Sequence, residues 1–183
     1  RQHERANYLA THDQLTTLPN RVVLADRFQQ LYQNWRRYGT SFAVVLIDLD
    51  GFKCVNDQHG HSIGDEVLKA VSMRFISVLR SIDTITRYGG DEFVALLANV
   101  ANADEGRVIG QKLLDAAAEP IQTAAGTMQI NCSIGIALCP LHGQTLDELR
   151  NAADRAMYRS KQHGGNEICL PAREAADDFP LEA

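Results

Sequence analysis

Apolar residues recur at three- and four-residue steps in "RVVLADRFQQLYQNWRRYG", where Leu24, Phe28, Leu31 and Trp35 share one side of a helix. Pro19 and Asn20 punctuate its start and Gly39 its end. The period then changes. "SFAVVLID" (41–48) is a short apolar run, three of its residues β-branched, that predicts a buried strand. After a polar loop, "GDEVLKAVSMRFISVLR" sets Val67, Leu68, Val71, Phe75, Val78 and Leu79 on one face, so a second helix runs to about Arg80. "DTITRY" and "EFVALLA" flank Gly89 and Gly90, and two strands around a Gly-Gly step predict a hairpin. A helix over about 103–118, a long strand region "TMQINCSIGIALCP", a helix in "TLDELRNAADRAMYRSKQHGG" and a short strand "NEICL" complete the map. This order contains a βαββαβ unit. It predicts an α+β fold with a central, mostly antiparallel sheet, a ferredoxin-like core and flanking helices on one side or both.

At 183 residues and 45% hydrophobic content, the chain has enough apolar surface for one domain, expected over 11–170. Residues 1–10, "RQHERANYLA", read as the end of a connecting helix or linker, and the absence of an initiating Met fits a piece of a longer protein. The tail 171–183, "PAREAADDFPLEA", has no periodicity and reads as a linker or disordered segment. A net charge of −5, with acids and bases interspersed, leaves no basic footprint for nucleic acid, so a bound phosphate must be held locally. No run approaches a membrane span, and direct membrane contact is not expected. Cys54, Cys132, Cys139 and Cys169 form no CxxC pair, which suits reduced thiols and a cytoplasmic setting.

The strand that ends in "DLDGFK" places Asp48 and Asp50 on one face and Leu49 on the other. A strand-end carboxylate beside a glycine-containing loop suits a hard cation such as Mg²⁺, which takes carboxylates, phosphates and water in octahedral array. Pairing with the hairpin would bring Asp48 beside Asp91 and Glu92. Carboxylates that close repel one another unless a cation stands between them. Each residue alone has a plainer reading: Asp and Gly are ordinary turn residues, Asp65 serves equally as a helix N-cap, and Lys53 and Asn56 belong in any polar loop. His59 and His61 form an HxH without further Cys or His at zinc spacing, so structural or surface roles are expected.

Taken together, "HDQLTTLPNR" (12–21), "DLDGFKCVNDQHGHSIGDEVL" (48–68), "RSIDTITRYGGDEF" (80–93) and "ADRAMYRSKQHGGN" (153–166) resemble, in order and spacing, the GGDEF-domain diguanylate cyclase family. The resemblance implies condensation of two GTP into cyclic di-GMP with release of two pyrophosphates, each GTP being held by one protomer of a facing homodimer. It implies two Mg²⁺ per GTP site, with Mn²⁺ as a substitute, on Asp48, Asp91 and the backbone carbonyl of Leu49. Glu92 takes a metal or proton-accepting role. Gly89 and Gly90 admit the α-phosphate, backbone N–H groups of Gly51 and Phe52 meet the terminal phosphates, and Lys53 and Lys161 add cations. Asn56 and Asp65 match the guanine-reading pair. Where many members have "GRN" after the last helix this chain has "GGN", so Gly165 removes one cation.

The resemblance also implies product inhibition at an RxxD site, Arg80 and Asp83, with Arg107 as a candidate third member. Without the resemblance, Arg80 and Asp83 read as a surface pair closing a helix. Activity through two facing sites would need an upstream sensory or dimerising domain. Two other readings stand beside the enzyme: a catalytically silent GTP or cyclic di-GMP sensor that regulates an attached domain, and a dimerising interaction module. There is no GxxxxGK[ST] loop, nor a GxGxxG after a strand.

Overall fold

Nine residues from Phe42 to Asp50 form the central strand β1, and every one up to Leu49 is buried save the rim of Asp48, because helices cover both faces of the sheet. The computed structural model describes residues 8 and 10–172. The expected connecting segment at 1–10 lies outside these residues except at Tyr8 and Ala10, as does the tail beyond Ala172.

Along the chain, α1 (Arg21–Tyr38) precedes β1, and α2 (Phe52–His59) and α3 (His61–Val78) follow it. Then come β2 (Thr84–Gly89), β3 (Glu92–Leu97), α4 (Ala103–Ala118), a small hairpin of β4 (Ile121–Thr123) and β5 (Gly126–Met128), β6 (Asn131–Cys139), α5 (Leu146–Gln162) and β7 (Ile168–Cys169). The main sheet has the order β2-β3-β1-β6-β7. All its pairings are antiparallel except β6 with β7. The four strands β6, β1, β3 and β2 with α3 and α4 form the ferredoxin-like core that the element order predicts.

Alternation along β1 divides the core. Ala43, Val45, Ile47 and Leu49 face α3 and α4, where Val67, Val71, Phe75 and Leu113 pack; Phe75 and Phe93 meet edge to face at 5.3 Å. Phe42, Val44 and Leu46 face the other way, toward Leu24 and Phe28 of α1 and Leu149, Ala153 and Met157 of α5. On that face α5 lies directly on the β6 backbone: a Cβ at Gly135 would stand 1.9 Å from the Ala153 carbonyl oxygen. This contact fixes the height of α5, and its C-terminal turn reaches the end of β1.

Local signals explain the ends. Asn20 caps α1 by accepting from Val22 N, and Gly39 closes it in the left-handed region. Thr145 and Glu148 form a capping box at the start of α5.

Four features depart from the sequence expectation. The strand runs on to Asp50 rather than stopping at 48, since Asp48 and Asp50 continue the ladder opposite Ser133 and Asn131. The polar stretch after it is the helix α2 rather than a loop, too short to show periodicity, with Phe52 its one buried residue. Asp65 accordingly falls in the second turn of α3 rather than at its N-cap, which is Gly60. The long region 127–140 breaks at Gln129–Ile130, leaving β5 in a separate two-stranded hairpin.

Candidate functional site

Two strand ends and two helix ends meet at one edge of the sheet. Register places Asp48 of β1 directly opposite Glu92 of β3 on one side and Ser133 of β6 on the other. Between β2 and β3 the turn is tight: Gly90 takes φ 54°, and Leu49 N donates to Asp91 O at 3.3 Å. That conformation costs a side-chain-bearing residue energy, and the bare backbone leaves the turn open to close approach. The hairpin is braced from behind. Arg87 Nε donates to Gly90 O at 2.9 Å while Arg87 Nη1 reaches Asp13 Oδ1 at 3.3 Å. Asp13 also accepts from Thr16 N and Oγ1 at 2.8 and 2.7 Å. Arg21 Nε donates to Tyr88 O at 2.8 Å, and its guanidinium lies 3.8 Å from the centre of the Tyr88 ring.

Asp48 is the electrostatic centre. Burial pushes its carboxyl above the ordinary carboxylate range and the charges of Asp91 and Glu92 push further, while the hydrogen bond and charge of Lys161 oppose them. Lys161 Nζ stands 2.9 Å from Asp48 Oδ1, at the last turn of α5. An ammonium thus lies where a cluster of acids calls for a cation. Asp50 is held differently: its Oδ1 accepts from Ser133 Oγ at 2.7 Å and its Oδ2 from Asn166 N at 2.8 Å. The two acids divide the work, one facing the cation and the other tying β1 to β6 and to the loop after α5.

That loop contains Gly165 at φ 78°, where an added Cβ would stand 2.6 Å from Asp50 Oδ2. A side chain at the position resembling the family's arginine would be strained in this backbone and would have to displace the Asp50 carboxylate. Cys132, beside Leu49 on β6, is fully buried, and burial together with the charges of Asp50 and Asp48 keeps its thiol protonated.

Gly51, in the left-handed region, turns the chain from β1 into α2. The first turn of α2 stands at the positive end of the helix, a disposition suited to phosphate. Lys53 is exposed on its first turn. Three residues further, Asn56 Oδ1 is buried without a hydrogen-bond partner among the described residues. It has room because residue 64 is glycine: a Cβ there would lie 1.9 Å from Asn56 Oδ1. Asp65 follows that glycine, half-buried.

The residues fit a divalent cation. Clustered acids with one carboxyl raised by burial and by its acidic neighbours, an ammonium drawn to them, and a strand end at the surface all suit a hard ion on Asp48, Asp91 and the Leu49 carbonyl.

Arg80 and Asp83 lie at the opposite end of β2, on the order of 20 Å from the Gly-Gly turn for a strand of this length. Arg80 Nε and Nη2 donate to Asp83 at 2.9 and 2.8 Å, Arg80 N donates at 3.0 Å, and Ala98 N at 3.1 Å. The Asp83 side chain is 0% exposed and Arg80 43%, so the guanidinium is the accessible half of the pair. Arg80 senses Glu105 of α4, whereas Arg107 lines a hollow with Gln111, Asn166 and Glu167 on the β7 side. His59 and His61 flank Gly60 at the α2–α3 junction, both exposed.

Residues 10–167 match the family described as diguanylate cyclase, GGDEF domain, and the chain belongs to that family. It is 47% identical over 162 residues to the bifunctional diguanylate cyclase/cyclic di-GMP phosphodiesterase MucR of Pseudomonas aeruginosa, covering 88% of this chain and 24% of that protein. The GGDEF domain of TpbB from the same organism superposes with a TM-score of 0.84 at 37% identity, covering 87% of this chain and 94% of that one. The coiled coil and GGDEF domain of DgcB from Caulobacter crescentus, in complex with cyclic di-GMP, gives 0.83 at 26%, covering 92% and 90%. The chain spans roughly a fifth to a quarter of the length of the first curated relatives it matches. Among the described residues no helix is long and apolar enough to cross a membrane.

Sequence reasoning passed over Ser133, Asn166, Arg87 with Asp13, and Gly64. Strand register, the packing of α2 on α3, the loop before α1 and the loop after α5 bring these residues to the site.

Proposed function

We propose that this chain condenses two GTP molecules into cyclic di-GMP, one GTP being held by each protomer of a homodimer. The observation that supports it most is the Asp48–Lys161 contact at the head of the Asp91–Glu92 turn, a cation drawn into clustered carboxylates beside a helix N-terminus. Mg²⁺, two ions per site, or Mn²⁺ in its place, would sit on Asp48, Asp91 and the Leu49 carbonyl, and when bound supplies charge neutralisation of the triphosphate and polarisation of the α-phosphate.

The chain's own groups do the rest. Gly89 and Gly90 let the turn backbone lie against the α-phosphate. N–H groups of Gly51 and Phe52 bond the terminal phosphates, with Lys53 and Lys161 as point charges. Asn56 and Asp65 read guanine; a carboxylate accepts from N1–H and the 2-amino group together, and adenine offers no such pair. The 3′-hydroxyl oxygen of the opposite protomer's GTP bonds to the α-phosphorus as the bridge to the β-phosphate breaks and pyrophosphate leaves. Glu92, exposed at the turn, receives the hydroxyl proton.

The reaction needs two facing protomers, so an upstream domain sets the rate by holding them together, and product bound through Arg80 holds them apart. One observation favours the runner-up, a silent GTP or cyclic di-GMP sensor: glycine at 165 leaves the triphosphate one cation short. Measuring product formation from GTP and Mg²⁺ across enzyme concentrations, with sedimentation in parallel, separates the two. The cyclase yields product at a rate rising faster than linearly while dimer accumulates. The sensor binds nucleotide and yields none.

A further inference from the structure

The geometry points to a second metal site, for a zinc-class cation, built by His163, Glu167 and Cys169 where α5 gives way to β7. His163 is the C-cap of α5, the chain turns through two glycines, and Glu167 leads into β7. Glu167 and Cys169 are two apart along an extended segment and so share a side. The turn brings His163 back across to them. One ligand atom from each of the three lies within 4.8 Å of the others, and His163 Nδ1 is 3.1 Å from Glu167 Oε2.

The plainer reading is a surface His–Glu pair with a bystander thiol. Such a pair is weak here, with side chains 64% and 45% exposed, and it gives no reason for the thiol to stand in the same cluster. A metal accounts for all three. Zinc takes imidazole nitrogen, thiolate sulfur and carboxylate oxygen with separations of about 2.0–2.3 Å, and a three-ligand site leaves one position for water. The thiolate and imidazole select zinc over Mg²⁺, so this site and the nucleotide's metal need not compete. Binding exchanges the Cys169 thiol proton for the metal–sulfur bond and releases that proton to solvent. Burial and the Glu167 charge raise the thiol, Arg159 and Arg107 lower it, and those same two cations oppose the incoming charge.

The site's position gives it leverage. Glu167 O accepts from Ser160 Oγ and from Ile134 N, each at 2.9 Å, and Asn166 N holds Asp50. A metal here fixes the loop between Lys161 and Asn166 without touching either.

The test is a Co²⁺ titration of the chain in the presence of Mg²⁺, followed by zinc displacement and thermal unfolding with and without zinc. One saturable equivalent is expected, with thiolate-to-cobalt charge-transfer absorption, displacement by zinc and a zinc-dependent rise in Tm. Cys169→Ser should abolish the charge-transfer band and Cys54→Ser, on exposed α2, should keep it. His163→Gln, at an exposed position that does not endanger folding, should weaken zinc binding by about tenfold or more. A band that survives Cys169→Ser or vanishes with Cys54→Ser overturns the site, as does wild-type zinc affinity in His163→Gln or the absence of any saturable cobalt signal.

Discussion

Gly64→Ala separates nucleotide recognition from stability. Alanine in place of glycine in the first turn of α3 gains up to about 1 kcal/mol of helix propensity. Its Cβ would lie 1.9 Å from Asn56 Oδ1, 3.0 Å from Asn56 Cγ and 3.2 Å from Phe52 Cζ. The severe overlap is with the free end of an amide, which rotates away, and Phe52 gives by a few tenths of an ångström at about 1 kcal/mol. The two effects offset, so the unfolding temperature should stay within a few degrees of wild type. Recognition has no such offset. Displacing the Asn56 acceptor removes a hydrogen bond to guanine worth about 1–3 kcal/mol, or roughly 5- to 150-fold in GTP affinity. Calorimetric titration with GTP and with inosine triphosphate, which lacks the 2-amino group, checks this beside thermal unfolding. The variant should lose GTP affinity while Asp65, left in place, keeps a preference for GTP over the inosine analogue. Wild-type GTP affinity in Gly64→Ala refutes the assignment of Asn56. A collapse of Tm by more than about 10 °C refutes the claim that the cost is local.

Asp48→Asn should abolish product formation yet stabilise the metal-free fold at neutral pH. Burial first, then Asp91 and Glu92, raise the Asp48 carboxyl. A raised acid favours the fold when protonated, so its contribution grows as pH falls through its folded pKa and is a penalty above it. Unfolding in chelator across pH reads this, and a variant less stable than wild type at pH 7 contradicts it. Arg80→Ala should raise the product concentration that halves the rate by about tenfold or more, since a charged, bidentate-capable partner of the product is lost; unchanged inhibition removes the RxxD site from the account. Because the Asp83 carboxylate is buried and bonded to four donor groups, Asp83→Ala should cost more stability than Arg80→Ala in parallel denaturant melts. Gly135→Ala should destabilise by about 3 kcal/mol or more by denaturant melt, because its Cβ meets the Ala153 carbonyl at 1.9 Å and backbone cannot rotate away.

The sheet and its four long helices were legible because their apolar periodicities run long enough to separate 2.0 from 3.6 residues, as in β1 and in the Leu24–Phe28 face of α1. The eight-residue helix α2 was not, since one buried phenylalanine cannot define a period. The acids of the site were legible as types at spacings, Asp48 and Asp50 by alternation and Asp91 and Glu92 by the glycine turn. Their partners were not, because Ser133 meets Asp50, and Arg87 meets Asp13, only through strand register and a turn 74 residues away. Gly64 read as an ordinary helix glycine, and its meaning depends on which side chain packs against it. The His163–Glu167–Cys169 cluster escaped the cysteine count because a helix end and a strand must first fold back on each other to form it.

The most direct test of the central claim is to incubate the chain and its Asp91→Ala variant with GTP and Mg²⁺ at several protein concentrations and measure cyclic di-GMP by chromatography. The expected result is product from the wild type at a rate rising faster than linearly with protein, and none from the variant, although the variant stays folded. Product from Asp91→Ala at the wild-type rate, or none from the wild type at any concentration despite measurable GTP binding, would contradict it.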